Sequence, residues 1–336
     1  MIKKVILYLL MFLTAYFGFV NTARAQSVDL GIYPPVFEIQ TTPPSSIKIP
    51  FFVQNFSDAP VKLYISLNPF IADTTENGQI QFEDNASLAD PLIPSRILVQ
   101  DQDSSISTIV LSPKQKKNLN LQITIPADEQ KGEYYLSLIF SSAANSISNA
   151  NFSQASAGIS SNILLSVGPL GKTQGLIADF SSPHFTMQGP LPFNVRIKNT
   201  SDHYITPKGN ILITNMFGQT VGKVNLLPVN ILSNSTRRIP DSLQSGTASE
   251  KDYAKIRSAV EGNEFPVAIW PEKFLLGPYK ATLTIALSDS GPQFKKQIIF
   301  FALPAQYLLG ILIIFTIVVF ITIRIKKAIR LEAKKS

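Results

Sequence analysis

A chain of 336 residues with 45% hydrophobic and 16% charged residues can bury sizeable cores, and the absence of cysteine excludes a disulfide-stapled or thiolate-metal scaffold. The formal net charge of +7 would suit a nucleic-acid binder, but its distribution argues against one. Of the 30 basic residues, three precede position 26 and six follow position 323, so the middle keeps 21 against 22 acids, only Glu332 lying outside it.

The chain opens with Lys3 and Lys4, runs apolar from Val5 to Val20 and reaches Ala23-Arg24-Ala25. A basic start, an apolar run and small residues at the exit predict a signal peptide over 1–25. The next roughly 275 residues are long enough for two domains. Over 27–168, β-branched and aromatic runs between Pro, Gly, Asn and Asp predict strands at Val28–Ile39, Ile47–Gln54, Val61–Leu67, Gln79–Phe82, Asn118–Ile125, Tyr134–Phe140 and Ile163–Val167. Strict alternation in Leu119-Asn-Leu-Gln-Ile-Thr-Ile125 puts one face in a core and one in water. Seven such strands suit an immunoglobulin-like sandwich.

Gly168-Pro169-Leu170-Gly171-Lys172 marks a boundary, and a second sandwich is predicted over 172–301. Its strands fall at Gly175–Phe180, Phe193–Lys198, Gly209–Asn215, Val221–Leu226, Phe265–Trp270, Tyr279–Leu287 and Phe294–Phe301. Between them Ser249 to Gly262 has a capping serine, helical apolar spacing and a closing glycine, predicting a short helical insertion near 249–262. Residues 303–323 carry no charge and match the thickness of a bilayer core, predicting one transmembrane helix. Arg324, Lys326, Lys327, Arg330, Lys334 and Lys335 follow, so the tail over 324–336 is expected inside and the sandwiches outside. The fold class is therefore all-β, two tandem sandwiches followed by a single transmembrane helix.

The halves echo each other. Val53-Gln-Asn55-Phe-Ser57-Asp58 parallels Ile197-Lys-Asn199-Thr-Ser201-Asp202, and Gly132-Glu-Tyr134 parallels Gly277-Pro-Tyr279. Asn and Ser at a strand end form side-chain-closed turns. A Tyr entering a late strand suits a tyrosine corner, its hydroxyl bonding back to the chain.

Catalytic chemistry finds no purchase in the sequence. His184 and His203 sit in polar turn-like stretches, no G-x-S-x-G elbow surrounds a serine, and no H-E-x-x-H or EF-hand spacing occurs. Asp101-Gln-Asp103 lacks further calcium ligands, and Asp128-Glu129 reads as a solvated turn. No catalytic, cofactor-binding or metal residue is assigned, no cofactor is expected, and the protein is read as a non-enzyme. Five N-x-S/T triplets begin at Asn55, Asn85, Asn151, Asn199 and Asn234. A secreted β domain without cysteine points to a bacterial envelope protein, in which most or all of these triplets are expected to be unmodified. Tyr33-Pro-Pro-Val-Phe37 and Trp270-Pro-Glu-Lys-Phe274 are candidate aromatic platforms, set against an ordinary role as core or edge plugs.

Several motifs in chain order resemble the WxL-interacting protein family of Gram-positive bacteria. They are Ile32-Tyr-Pro-Pro-Val-Phe37, Val53-Gln-Asn-Phe-Ser-Asp58, Glu76-Asn-Gly-Gln-Ile-Gln-Phe82, Ile123-Thr-Ile-Pro126 with Gly132, Leu232-Ser-Asn-Ser235 and Gly277-Pro-Tyr279. The resemblance implies a signal peptide, a peptidoglycan-associated first sandwich, a partner-binding second one and a membrane anchor with a basic tail. It assigns no ligand residue here. The expected function is a single-pass, cell-surface scaffold that binds a cell-wall polymer or envelope protein and no nucleic acid. The alternative is an accessory subunit of a secretion, pilus-assembly or transport complex.

Overall fold

The computed structural model describes residues 29–84, 88, 90–142, 157–242, 266–289 and 291–332. The expected signal peptide (1–25), the helical insertion (249–262), Asn85, Asn151 and the last four residues of the tail lie outside them.

The first half forms eleven strands: β1 (Leu30–Tyr33), β2 (Val36–Thr41), β3 (Ser45–Asn55), β4 (Val61–Ala72), β5 (Ile80–Phe82) and β6 (Ile97–Asp101). After them come β7 (Ser104–Ser105), β8 (Thr108–Leu111), β9 (Lys116–Ile125), β10 (Gly132–Ser141) and β11 (Gly158–Val167). One sheet runs β1-β3-β9-β6-β7 and the facing sheet β2-β11-β10-β4-β5, with β8 also on β4. The predicted strand Val28–Ile39 is two strands in different sheets. Tyr33 pairs with Phe52 on β3, whereas Val36–Thr41 runs parallel to β11. Pro34 and Pro35 cannot both continue a ladder, so the chain changes sheets there.

Alternation fills the core between the sheets. Leu119, Leu121, Ile123 and Ile125 from β9 meet Tyr134, Leu136, Leu138 and Phe140 from β10, all of them buried. Each such side chain contributes about 1.5–3 kcal/mol of apolar burial.

The second half repeats the plan with β12 (Gly175–Ser181), β13 (Phe185–Thr186), β14 (Leu191–Asn199), β15 (Lys208–Asn215) and β16 (Thr220–Asn225). It ends with β17 (Thr236–Arg238), β18 (Ala268–Trp270), β19 (Gly277–Ala286) and β20 (Gln293–Ala302). In both halves the opening segment splits between the sheets, and its second part lies parallel to the last strand: β2 on β11, β13 on β20. Both β17 and β18 pair antiparallel with β14, on Arg196–Lys198 and Leu191–Phe193 respectively. They take neighbouring stretches of one partner strand, and between them in sequence lies the segment in which the sequence places the helical insertion.

Asn55 and Asn199 are fully buried, so two of the five triplets are closed to modification. At the paired corners, Tyr134 donates its hydroxyl to Glu129 Oε1 (2.8 Å), and the Leu276 amide donates to the Tyr279 hydroxyl (3.0 Å). Glu129 is no solvated turn residue. Its carboxylate is almost entirely buried and also receives Arg96.

A helix, α1 (Ala305–Glu332), follows β20 directly. Among the described residues no helix is long and apolar enough to cross a membrane. The side chains described in α1 without a break run only over 312–325. The transmembrane span expected at 303–323 is therefore not shown by them.

Candidate functional site

The two sandwiches meet along the end of β4, β5 and the strand-connecting loops of the second half. The segment Asp73–Gln79 makes a tight turn. Asp73 accepts from the Thr74 amide and the Thr75 hydroxyl, and these bonds, the Thr75 one foremost, hold its carboxyl below the ordinary range. Glu76 and Gly78 both have positive φ, 59° and 91°. The turn presents Glu76 to β14, where Arg196 grips it with two parallel bonds, Nε to Oε2 at 2.6 Å and Nη2 to Oε1 at 2.7 Å. Such a fork is charge-assisted and geometrically specific. The hydrogen bonds from Arg196 lower the Glu76 pKa, and those same bonds raise that of Arg196. The backbone joins in, the Arg238 amide donating to the Glu76 carbonyl (2.8 Å).

Other contacts flank this clasp. Asn230 donates to Glu38 (2.7 Å), the Ser233 amide to the Tyr135 hydroxyl (3.2 Å), and Lys131 to Asp202 (2.8 Å). The Lys131 bond brings the Asp202 pKa down to about 2. An apolar plug of Phe70, Leu164 and Leu232 fills the seam, with Tyr135 and Tyr204 against it. Burial raises the Tyr204 pKa to about 12 and also pushes the Glu133 carboxyl upward.

Beside the plug lies a cleft of about 380 Å³, between Val36, Asn162 and the Asp73–Ile80 segment on one side and Pro228–Arg237 on the other. Arg237 projects into it, donating through Nη1 to the Asn230 carbonyl (2.6 Å). Desolvation alone lowers its pKa, and among the described residues no carboxylate lies at ion-pair distance. A Cβ on Gly78 would run into the Arg237 guanidinium and push it aside, and its φ of 91° is itself strained for any residue with a side chain. Asn162 Oδ1 is buried without a hydrogen-bond partner.

The residues singled out in the sequence distribute differently. Tyr33 is 61% exposed and stacks on Phe52, whose ring also carries Lys116 Nζ at 3.7 Å. Phe37 and Trp270 are core residues, only 3% and 4% exposed, whereas Phe274 faces outward. His184 is exposed in its turn. His203 is buried beneath the domain junction, with Nδ1 on Asp202 (2.9 Å) and Nε2 on Thr173 (3.2 Å). Asp101 pairs with Lys117 and Asp103 with Lys48, and among the described residues no three potential ligands could hold a metal. The cleft itself was not foreseen. Its signals were present separately, in the Glu76–Phe82 motif and in the Arg237-Arg238 pair.

The strand orders define a tandem immunoglobulin-like β protein. Within the first sandwich, residues 34–142 match the family model described as WxL Interacting Protein, peptidoglycan binding domain. That match supports the resemblance to the WxL-interacting proteins drawn from the sequence motifs. No curated protein matches the chain. Among solved structures, the class 5 fimbriae chaperone CfaA is 13% identical, over 82% of this chain and 100% of that one, with a TM-score of 0.35. The E. coli chaperone DraB is 12% identical over 81% and 98%, with a TM-score of 0.32. A PapD-like domain of human CEP192 is 11% identical over 44% and 89%, with a TM-score of 0.24. At these scores the likenesses add nothing to the fold described above.

Proposed function

We propose that this protein is a non-enzymatic surface protein of the bacterial envelope whose first sandwich binds the cell-wall polymer and whose C-terminal helix anchors it in the membrane. The observation that carries the wall-binding reading is the match of residues 34–142 to a peptidoglycan binding domain. The near-balanced charge of the middle of the chain agrees with a target that is not a polyanion.

The anchor is supported by the character of α1. Its uncharged part, from Ala305 to Ile323, spans about 28 Å at 1.5 Å per residue, close to the ~30 Å of a hydrocarbon core. From Leu312 to Ile325 large apolar side chains stand exposed on every side of the helix, including Ile313, Ile314, Phe315 and Phe320. A helix apolar all round finds its solvent in lipid. Arg324 onward supplies the basic flank that keeps a tail on the cytoplasmic side.

Co-sedimentation of the full chain in detergent micelles with purified wall sacculi tests the reading. Saturable retention by sacculi, absent with a control insoluble polysaccharide, is the expected result. Equal recovery in the supernatant with and without sacculi would overturn it.

A further inference from the structure

Among the described residues, the cleft between the sandwiches contains polar groups whose hydrogen bonding is incomplete. Arg237 is half-buried, and among the described residues one of its five N–H donors is assigned, to the Asn230 carbonyl, with no carboxylate at ion-pair distance. A half-buried guanidinium with free donors and no carboxylate beside it is open to an anionic group from outside the chain. Asn162 presents a buried acceptor that receives no donor. Both line one cavity of about 380 Å³, within the roughly 300–1,000 Å³ of small-ligand sites, which favour domain interfaces.

The charges around the cavity are separated rather than cancelled. Glu76 is consumed by Arg196, but Asp73 is held as an anion by its own turn, and Glu38 accepts one bond from the neutral Asn230. The cavity therefore offers one cation, two anions and an unfilled acceptor beside the apolar Phe70, Leu164 and Leu232. A simple anion would meet Glu38 and Asp73, and a neutral sugar would leave Arg237 unpaired. A zwitterion satisfies both ends. The short peptides that hang from wall glycans are of this kind, with free carboxylates, a side-chain amine, amide N–H groups and alanine methyls.

We propose that this cleft binds the peptide component of the wall polymer, with a ligand carboxylate on Arg237, the amine towards Glu38 and Asp73, a peptide N–H on Asn162 Oδ1 and methyl groups on the apolar wall. The assignment rests on the wall-binding reading above and narrows it from the polymer to its peptides. Arg237 and Asn162 are binding residues in this scheme, and Gly78 leaves room for the Arg237 guanidinium.

Titration calorimetry on the full chain in micelles decides it, using a tetrapeptide of sequence Ala-Glu-Lys-Ala with wall stereochemistry. The probes beside it are the same peptide amidated at its carboxylates, the same peptide acetylated at its amines, and wall glycan stripped of peptide. The free peptide is expected to bind and each blocked form to bind at least tenfold more weakly. Arg237→Gln and Asn162→Leu should each weaken the free peptide at least tenfold, the second without touching the interdomain clasp. Blocked peptides binding as well as the free one, or binding by the stripped glycan alone, would overturn the assignment. So would unchanged affinity in a folded Asn162→Leu variant. If sacculi retain the protein while the peptide does not bind, the cleft assignment fails and the wall-binding reading stands. If sacculi do not retain it, both fall.

Discussion

Asn55 and Asn199 do the same work in the two sandwiches. Each is fully buried at the end of its strand, β3 or β14, and each accepts the amide of the residue two positions on, Ser57 (3.0 Å) or Ser201 (2.8 Å). Each donates to the carbonyl four positions on, Ala59 or His203 (2.8 Å in both), and to a distant loop carbonyl, Ser112 (3.1 Å) or Leu232 (3.0 Å). One amide side chain thus closes its own turn and ties it to a neighbouring connection. Alanine at either position would leave several buried backbone groups unpaired, at about 1–3 kcal/mol each. Asn199→Ala is expected to lower unfolding free energy by about 3 kcal/mol in urea, and Asn55→Ala by a similar amount. A loss below 0.5 kcal/mol at both would contradict the role.

The Glu76–Arg196 fork should couple the domains. A double-mutant cycle with Glu76→Ala and Arg196→Ala is expected to give about 1.5–3 kcal/mol, the range for hydrogen bonds to charged groups. Because the folded pKa of Glu76 lies below the ordinary carboxylate value, its contribution is present above about pH 4.5 and is lost as pH falls through the lowered value. Glu76→Gln should therefore flatten the acid limb of the stability profile below pH 4.5 and cost stability at pH 7.

Glu133 titrates the other way. Burial raises its pKa, so its ionised form is disfavoured in the folded state, and stability falls as pH rises from the ordinary carboxylate value through the raised one. Glu133→Gln keeps an acceptor for the Tyr135 hydroxyl and removes the charge. The melting temperature at pH 7 is expected to rise, and the gain to vanish near pH 4.

Gly78 is confined by both its positive φ and the Arg237 guanidinium. Gly78→Ala should cost about 1–3 kcal/mol through backbone strain and displace Arg237. Faster proteolysis in the interdomain connection, with both sandwiches remaining resistant, is the expected readout.

A chain ended after Leu303 keeps every strand and loses α1. In Triton X-114 partitioning the full chain is expected in the detergent phase and the shortened one in the aqueous phase. The same phase for both would remove the anchor.

Much of the strand pattern was legible because alternation is local. Leu119 to Ile125 carries its burial in its own sequence, and so does Phe193 to Ile197. Strands β6, β7, β8, β13 and β17 escape that pattern, each being five residues or fewer. The jump between sheets at Pro34 was invisible because pairing with Phe52 or with β11 is a long-range matter. Trp270 beside Pro271 suits either a surface platform or a core plug, and Tyr279 and Phe300 enclose it as a plug. The cleft could not be read for a similar reason. Gly78 and Arg237 belong to different domains, and only the docked pair shows that one exists to make room for the other.

The pairing of both β17 and β18 with β14 has a consequence for how such a chain can diversify. The two hold neighbouring stretches, Arg196–Lys198 and Leu191–Phe193, so the framework on either side of their connection is one strand. Closing a loop costs only about 0.6 kcal/mol more for each doubling of its length. The second sandwich therefore has a built-in port, where sequence can be lengthened or exchanged while the registers on either side hold. A surface protein under pressure to change what it displays could rewrite that stretch and leave its scaffold intact.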